Sequence, residues 1–78
     1  MTNRKDTFVA RQVREARAEA ELTQVELAAK CGVTLRGVQA WEQATRTPRM
    51  DALAALSLAL GKPIDYFFEP VPERADAA

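Results

Sequence analysis

The sequence predicts a small all-α domain of five helices, and the strongest reason is a pair of closely spaced helix starts. Thr23 and Glu26 form a capping box, in which the two residues satisfy two free backbone amides at the start of a helix. Thr34 is a second N-cap, and Gly32 between the caps is the residue type best able to end a helix in the left-handed conformation. Two short helices joined by a glycine-containing turn form a helix-turn-helix.

Helical spacing of apolar residues places a first helix before this pair. Thr7 can cap a helix that runs to about Ala20, and Leu22 then packs at the junction with the second helix. The apolar stripe of the first helix is expected to consist of Val9, Val13, Ala16 and Ala20.

The second and third helices each have one apolar face. In the second helix, which ends at Gly32, this face consists of Leu27, Ala28 and Cys31. In the third helix, expected from about Leu35 to Gln43, it consists of Val38 and Trp41. The opposite face of the third helix carries Leu35, Arg36, Gln39 and Ala40. A helix with such an outer face, at this position in the motif, is suited to enter a DNA groove.

Gly37 is an unusual residue near the start of this third helix, where glycine costs up to about 1 kcal/mol relative to alanine. Either it allows close packing against another backbone or clearance for DNA, or it is simply tolerated in the first turn.

Two more helices are expected after the loop that contains Pro48. The fourth ends at Gly61 and has an apolar stripe of Met50, Leu53, Leu56 and Leu60. The short fifth helix spans Pro63–Phe68, with Asp65 near its positive end. The residues expected to close the core here are Ile64, Phe67 and Phe68.

The chain has 78 residues, enough for one small domain, which is expected at 8–68. A flexible N-terminus is expected at 1–7 and a disordered acidic tail at 69–78. The 11 basic residues equal the 11 acidic residues, which counts against a nucleic-acid binder. The acidic tail carries a net charge of −2, however, so residues 1–68 carry +2.

Several functional classes are disfavoured by what the sequence lacks. The single cysteine cannot form an internal disulfide, and without histidine no zinc or haem site is expected. No apolar run of 18 residues suggests a membrane span, and no signal sequence is apparent, so a cytoplasmic protein without a cofactor is expected.

The segments that carry this pattern also resemble the lambda-repressor/Cro-like domains, or XRE family, over roughly residues 8–68. The resemblance rests on Leu22-Thr23-Gln24-x-Glu26-Leu27-Ala28, Gly32-Val33, Val38, Trp41-Glu42, Pro48 and the segment from Leu53 to Gly61. The sequence departs from the family at Ala44, where many relatives have glycine, and at Leu35 and Gly37, which are less usual in the third helix.

The resemblance implies contacts with the DNA backbone. In relatives the glutamine equivalent to Gln24 holds a phosphate, helped by the helix N-terminus. The alternative is that Gln24 is simply an exposed polar residue beside a cap. Some relatives place a basic side chain at the position of Arg49 in or beside the minor groove. The remaining candidates for backbone contact are Thr34, Arg46 and Arg14.

Base reading is assigned to the third helix from the chemistry of its side chains. Arginine pairs with guanine, so Arg36 is the main candidate, with a further phosphate contact as the alternative. Gln39 is suited to adenine, and Leu35 and Ala40 to thymine methyl groups.

Two further residues have competing interpretations. Arg17 is either a solvated arginine of the first helix or, as the resemblance implies, the partner of Glu42 in a partly buried ion pair. Cys31 is either a redox-sensitive thiol near Lys30 or a small apolar residue of the core, and its place on an apolar face favours the core.

The sequence as a whole predicts a transcriptional regulator that binds double-stranded DNA, such as a repressor, a Cro-like protein, a restriction–modification controller or an antitoxin-type autoregulator. It is expected to act without catalysis, as a homodimer on a palindromic operator. The predicted dimer interface is Lys62, Pro63, Ile64 and Phe68. The alternative is a protein-interaction module of the same fold, for example an antitoxin or anti-repressor that acts without DNA.

Overall fold

The computed structural model describes residues 7–69, which form four α-helices and one short 3-10 helix, with no strand in that range. The α-helices are α1 (Phe8–Glu19), α2 (Gln24–Cys31), α3 (Leu35–Glu42) and α4 (Met50–Leu60). The 3-10 helix spans Ile64–Phe67. The predicted flexible N-terminus and acidic tail lie outside the described residues, apart from Thr7 and Glu69.

The predicted starts of the first three helices are confirmed by their caps. The Thr7 hydroxyl accepts a hydrogen bond from the Ala10 amide, and the Thr34 hydroxyl accepts one from the Gly37 amide, each at 3.1 Å. Thr23 and Glu26 form both hydrogen bonds of the capping box. The helix-turn-helix is therefore α2 and α3, as predicted.

The prediction of a fifth helix over Pro63–Phe68 is corrected to a single 3-10 turn. Pro63 and Phe68 both have extended backbones, which leaves only the four residues between them for a helix. The hydrogen bonds link residues three apart, from the Tyr66 amide to the Pro63 carbonyl and from the Phe68 amide to the Asp65 carbonyl. A segment this short favours the tighter 3-10 geometry.

A residue in the left-handed conformation follows each of the four α-helices. Gly32 and Gly61 have φ values of 70° and 67°, as glycine at a helix end predicts. The other two positions are Glu21 and Ala44, with φ values of 58° and 61°. Because a side chain makes this conformation costly, both positions are strained. At Ala44, glycine would remove this strain.

The core lies between α1, α4 and the 3-10 helix, with α3 packed on α1 and α2, and α2 also packed on α4. Its largest fully buried side chains are Val13, Leu27, Val38, Leu56 and Phe67. Residues 7–69 contain one buried charged residue, Glu42.

Three residues predicted to lie in the core are exposed instead. Met50 is 60% exposed, because the side chain of a helix's first residue leans back over the preceding loop and not over α4. Ala20 lies beyond the last turn of α1. Phe68 is 45% exposed, because its extended backbone turns it away while its neighbour Phe67 fills the core. In α1, Ala10 is buried although the predicted stripe omitted it.

Candidate nucleic-acid interface

The two faces of α3 are arranged as the spacing predicted. Val38 and Trp41 are buried, whereas Leu35 and Arg36 are exposed. Gln39 and Ala40 are half-buried and lie on the same side as Arg36. The structure therefore leaves the predicted base-reading residues accessible from outside.

An open hollow of about 500 Å³ lies beside this outer face, and we call it the α3 hollow. It is lined by Thr34, Arg36, Gly37, Gln39, Ala40, Gln43, Thr45 and Arg46. Five of the predicted DNA-contacting residues thus come together, while Leu35 is not part of the lining. Gln43 and Thr45 were missed by the sequence analysis. The spacing could have found Gln43, which lies four residues after Gln39.

A second hollow of about 450 Å³, the α4 hollow, lies at the start of α4. Its lining consists of Trp41, Arg46, Thr47, Arg49, Asp51 and Ala52. Arg46 borders both hollows and so connects them. The two linings together contain three arginines and one aspartate, a net charge of +2, on a chain with no net charge.

The only buried carboxylate of residues 7–69, that of Glu42, lies in contact with Arg17 at the end of α3. Arg17 Nε donates to Glu42 Oε2 at 2.6 Å, and Arg17 Nη2 donates to Oε1 at 3.0 Å. A third guanidinium nitrogen, Nη1, donates to the Leu22 carbonyl at 2.9 Å. The hydrogen bond with Glu42 raises the pKa of Arg17, while burial acts in the opposite direction. This bidentate pair joins α1 to the end of α3.

Gln24, the predicted phosphate ligand, also contacts this carboxylate. Its amide nitrogen Nε2 donates to Glu42 Oε1 at 3.0 Å. We call Arg17, Gln24 and Glu42 together the Glu42 cluster. The Gln24 side chain is therefore held by Glu42 through one N–H of its amide. The second N–H is still available to donate a hydrogen bond.

Arg14, which was also predicted to contact the DNA backbone, lies close to the C-terminal end of α3. Its Nη1 donates to the main-chain carbonyl of Glu42 at 2.6 Å. Cations are favoured at the C-terminus of a helix, so this contact also stabilises α3. Arg14 is half-buried, in contrast to the exposed Arg36, Arg46 and Arg49.

Gly37 is not required by close packing within the described chain, so the hypothesis of a neighbouring backbone is wrong. A Cβ atom built on Gly37 would lie 3.6 Å from the Thr34 hydroxyl and 3.8 Å from the Val33 side chain. Both are ordinary van der Waals distances, and no backbone atom is as near. Clearance for DNA, or simple tolerance in the first turn, remains as the explanation.

Cys31 is partly buried and packs against the core. Burial raises the pKa of its thiol above the ordinary value, which disfavours the reactive thiolate. Among residues 7–69, no group of three or more acidic, cysteine or histidine residues could hold a metal ion. In the same range, no helix has the length and apolar character needed to span a membrane.

The predicted dimer residues differ in accessibility. Pro63 and Phe68 are exposed, whereas Ile64 is half-buried and packs against the core. The ammonium of Lys62 bonds to Glu19 Oε1 at 2.8 Å and lies 4.9 Å from the centre of the Tyr66 ring. Among residues 7–69, the most exposed large apolar side chain is Leu58 of α4, at 87%, which was not predicted from the sequence as a site residue.

Comparisons with known proteins agree with this geometry. A family model described as Helix-turn-helix matches residues 13–67. A protein of Rhodospirillum rubrum, named as an uncharacterized transcriptional regulator in the ATPase CF(0) region, is 35% identical over 71 residues. That match covers 91% of this chain and 65% of the relative, so the chain spans just under two thirds of the relative's length.

Two solved structures are similar over most of the chain. The DNA-binding domain of the P22 C2 repressor is 27% identical with a TM-score of 0.75, covering 85% of this chain and 84% of that domain. The restriction-modification controller protein C.AhdI from Aeromonas hydrophila is 24% identical with a TM-score of 0.74, covering 78% of this chain and 92% of that protein. The second likeness, at this identity, shows the fold alone. Together they confirm the lambda-repressor-like fold.

Proposed function

The chain belongs to the helix-turn-helix family, and from that premise we propose that it is a sequence-specific transcriptional regulator that occupies an operator. The family and fold are those of DNA-binding regulators and not of enzymes. The observation that carries the proposal is the outer face of α3, where accessible side chains adjoin two hollows bordered by Arg36, Arg46 and Arg49. In this proposal α3 enters the major groove.

Base reading falls to the outer face of α3. Arg36 is exposed and long enough to offer two parallel N–H donors to guanine, a pairing worth about 1–3 kcal/mol of discrimination. Gln39 beside it can read adenine. The apolar Leu35 and Ala40 can contact thymine methyl groups.

Positioning on the DNA backbone falls to the residues around α3. The Thr34 hydroxyl accepts the cap hydrogen bond from Gly37, so its own O–H remains available to donate to a phosphate. Arg46 and Arg49 are exposed at the α4 hollow and can approach the backbone together. Gln24 and Arg14, which both donate to Glu42 at the end of α3, are the remaining candidates. Contacts of this kind fix the register of the protein and do not read sequence.

A homodimer on a palindromic operator is the second part of the proposal. The α3 helix of one protein molecule offers too few base-reading side chains to specify a single site in a genome. A twofold dimer doubles their number. The proposed interface is formed by Lys62, Pro63, Ile64 and Phe68, of which Pro63 and Phe68 are the exposed members.

Selection from randomised DNA duplexes at low salt tests the proposal. We expect enrichment of a palindrome whose half-sites are centred about 10 base pairs apart. Arg36→Ala should relax the preference at one base pair of each half-site. An absence of any enriched sequence with the wild-type chain would refute sequence-specific binding.

A protein-interaction module that acts without DNA is the alternative function. The observation that favours it is Leu58, whose apolar side chain is almost fully exposed on a chain with no net charge. Under this alternative, Leu58→Lys would abolish partner binding, whereas Arg36→Ala would have no effect.

A further inference from the structure

We propose that Glu42 is a positioning residue for DNA binding, which orients the amide of Gln24 toward a phosphate. This inference rests on the proposed function, and it assigns to the buried ion pair a role beyond holding the fold together. The observation that carries it is the hydrogen bond of 3.0 Å from Gln24 Nε2 to Glu42 Oε1.

The chemistry of the two groups fixes the orientation of the amide. A side-chain amide has a donor end and an acceptor end, and rotation by half a turn exchanges them. An ionised carboxylate only accepts hydrogen bonds, so it holds the NH₂ end of Gln24 and repels the carbonyl end. One N–H of the amide then contacts Glu42, and the second remains as a donor for an anion. The orientation useful for a phosphate is therefore already selected in the free protein.

Arg17 makes a carboxylate acceptable at this place. An unpaired negative charge near the DNA backbone would weaken binding, because it would repel the phosphates. Here two N–H groups of Arg17 engage both oxygens of Glu42, which compensates its charge. The carboxylate can thus orient Gln24 while its charge is balanced from the side of α1.

The position of Gln24 in the fold is the second reason. It is the first residue of α2 and directly follows the cap Thr23. The start of a helix attracts anions through its free amides and the helix dipole. Glu42 thus connects the end of the proposed recognition helix α3 to the start of α2, and both would contact the same DNA.

A double-mutant cycle on DNA affinity tests the proposal, with Gln24→Ala, Glu42→Ala and the double variant. We expect each single variant to weaken binding by roughly tenfold, the effect of losing one hydrogen bond to a charged group. The double variant should also bind DNA about tenfold more weakly than the wild type, no more weakly than either single variant, since Glu42 acts through Gln24. A product of the two losses, about a hundredfold, would overturn the proposal. Glu42→Asp, which keeps the charge but withdraws the carboxylate from Gln24 by one methylene, replaces Glu42→Ala if that variant does not fold.

Two further measurements separate positioning from stability and from the proposed function. Leu56→Val is the stability control, because Leu56 is fully buried in α4 and has no bond to the Glu42 cluster; it should lower stability and leave DNA affinity unchanged. In the free protein, the NMR signals of the Gln24 side-chain amide should shift in the Glu42 variant. Unchanged signals would overturn the proposal without reference to DNA, whereas a wild-type chain that binds no DNA would refute the proposed function.

Discussion

Replacing Ala44 with glycine should stabilise the protein, because this residue holds a left-handed backbone at the end of α3. Its φ is 61°, and its amide donates to the Trp41 carbonyl while the next amide, of Thr45, donates to the Ala40 carbonyl. This pair of hydrogen bonds is the Schellman motif, in which glycine is the preferred residue. Ala44→Gly keeps both bonds and removes only the clash of the side chain.

The size of the gain follows from two opposing terms. The left-handed conformation costs a non-glycine residue roughly 1–2 kcal/mol. Against this, glycine lowers stability by about 0.4–1 kcal/mol, because it has greater conformational freedom in the unfolded chain. The net gain in unfolding free energy should be about 0.5–1 kcal/mol, which corresponds to a rise in Tm of roughly 2–8 °C for a domain of this size.

Urea unfolding followed by circular dichroism measures this gain. The midpoint should rise by roughly 0.2–1 M at an unchanged slope. The matched control is Ala54→Gly, at an exposed position within α4, where the same change should destabilise by about 1 kcal/mol. Destabilisation of similar size by both variants would refute the assignment of strain to Ala44.

Four other predictions have defined outcomes. Glu42→Ala should lower the unfolding free energy by about 2–3 kcal/mol. Adding Arg17→Ala to it should lower this free energy little further, since the two residues share one interaction. Equal and additive losses in urea unfolding would contradict an ion pair between them. Arg36→Ala should weaken binding to the selected operator by about 1–3 kcal/mol, whereas Arg46→Ala should weaken specific and non-specific DNA by similar factors in gel shifts. Alkylation of Cys31 at neutral pH should be slower in the native than in the unfolded protein, because burial raises the thiol pKa, and equal rates by mass spectrometry would contradict this. Phe68→Asp should abolish cooperative operator binding and leave the monomer folded, while protection of a single half-site by the wild type in footprinting would exclude the dimer.

The helix ends show how far the sequence predicts this fold. The threonine caps and the two glycines mark their helix ends because each residue type has a local chemical reason to be there. Glu21 adopts the same left-handed conformation although glutamate gives no such local signal, so its residue type could not predict the turn. Ala44 lies between these cases, since its residue type gives no signal and only the family resemblance noted in the sequence suggests a glycine position.

The candidate site shows a similar division. Helical spacing is enough to separate the outer face of α3 from its buried face. It cannot show that Arg46 borders both hollows, because the loop between α3 and α4 has no period. Nor can it show that Gln24 and Glu42 are in contact, since eighteen positions separate them along the chain and the fold brings them together.

The net charge illustrates why placement matters more than composition for this protein. A chain with equal numbers of acidic and basic residues has no overall attraction for DNA, and that argument favoured a protein-interaction module. Binding depends, however, on the field at the surface that meets the phosphates, and charges beyond about one Debye length are screened. The two hollows beside α3 combine three arginines with one aspartate, and the buried carboxylate of Glu42 is compensated by Arg17. A neutral protein can therefore present a positive face, and its affinity should fall with salt as the number of contacted phosphates requires.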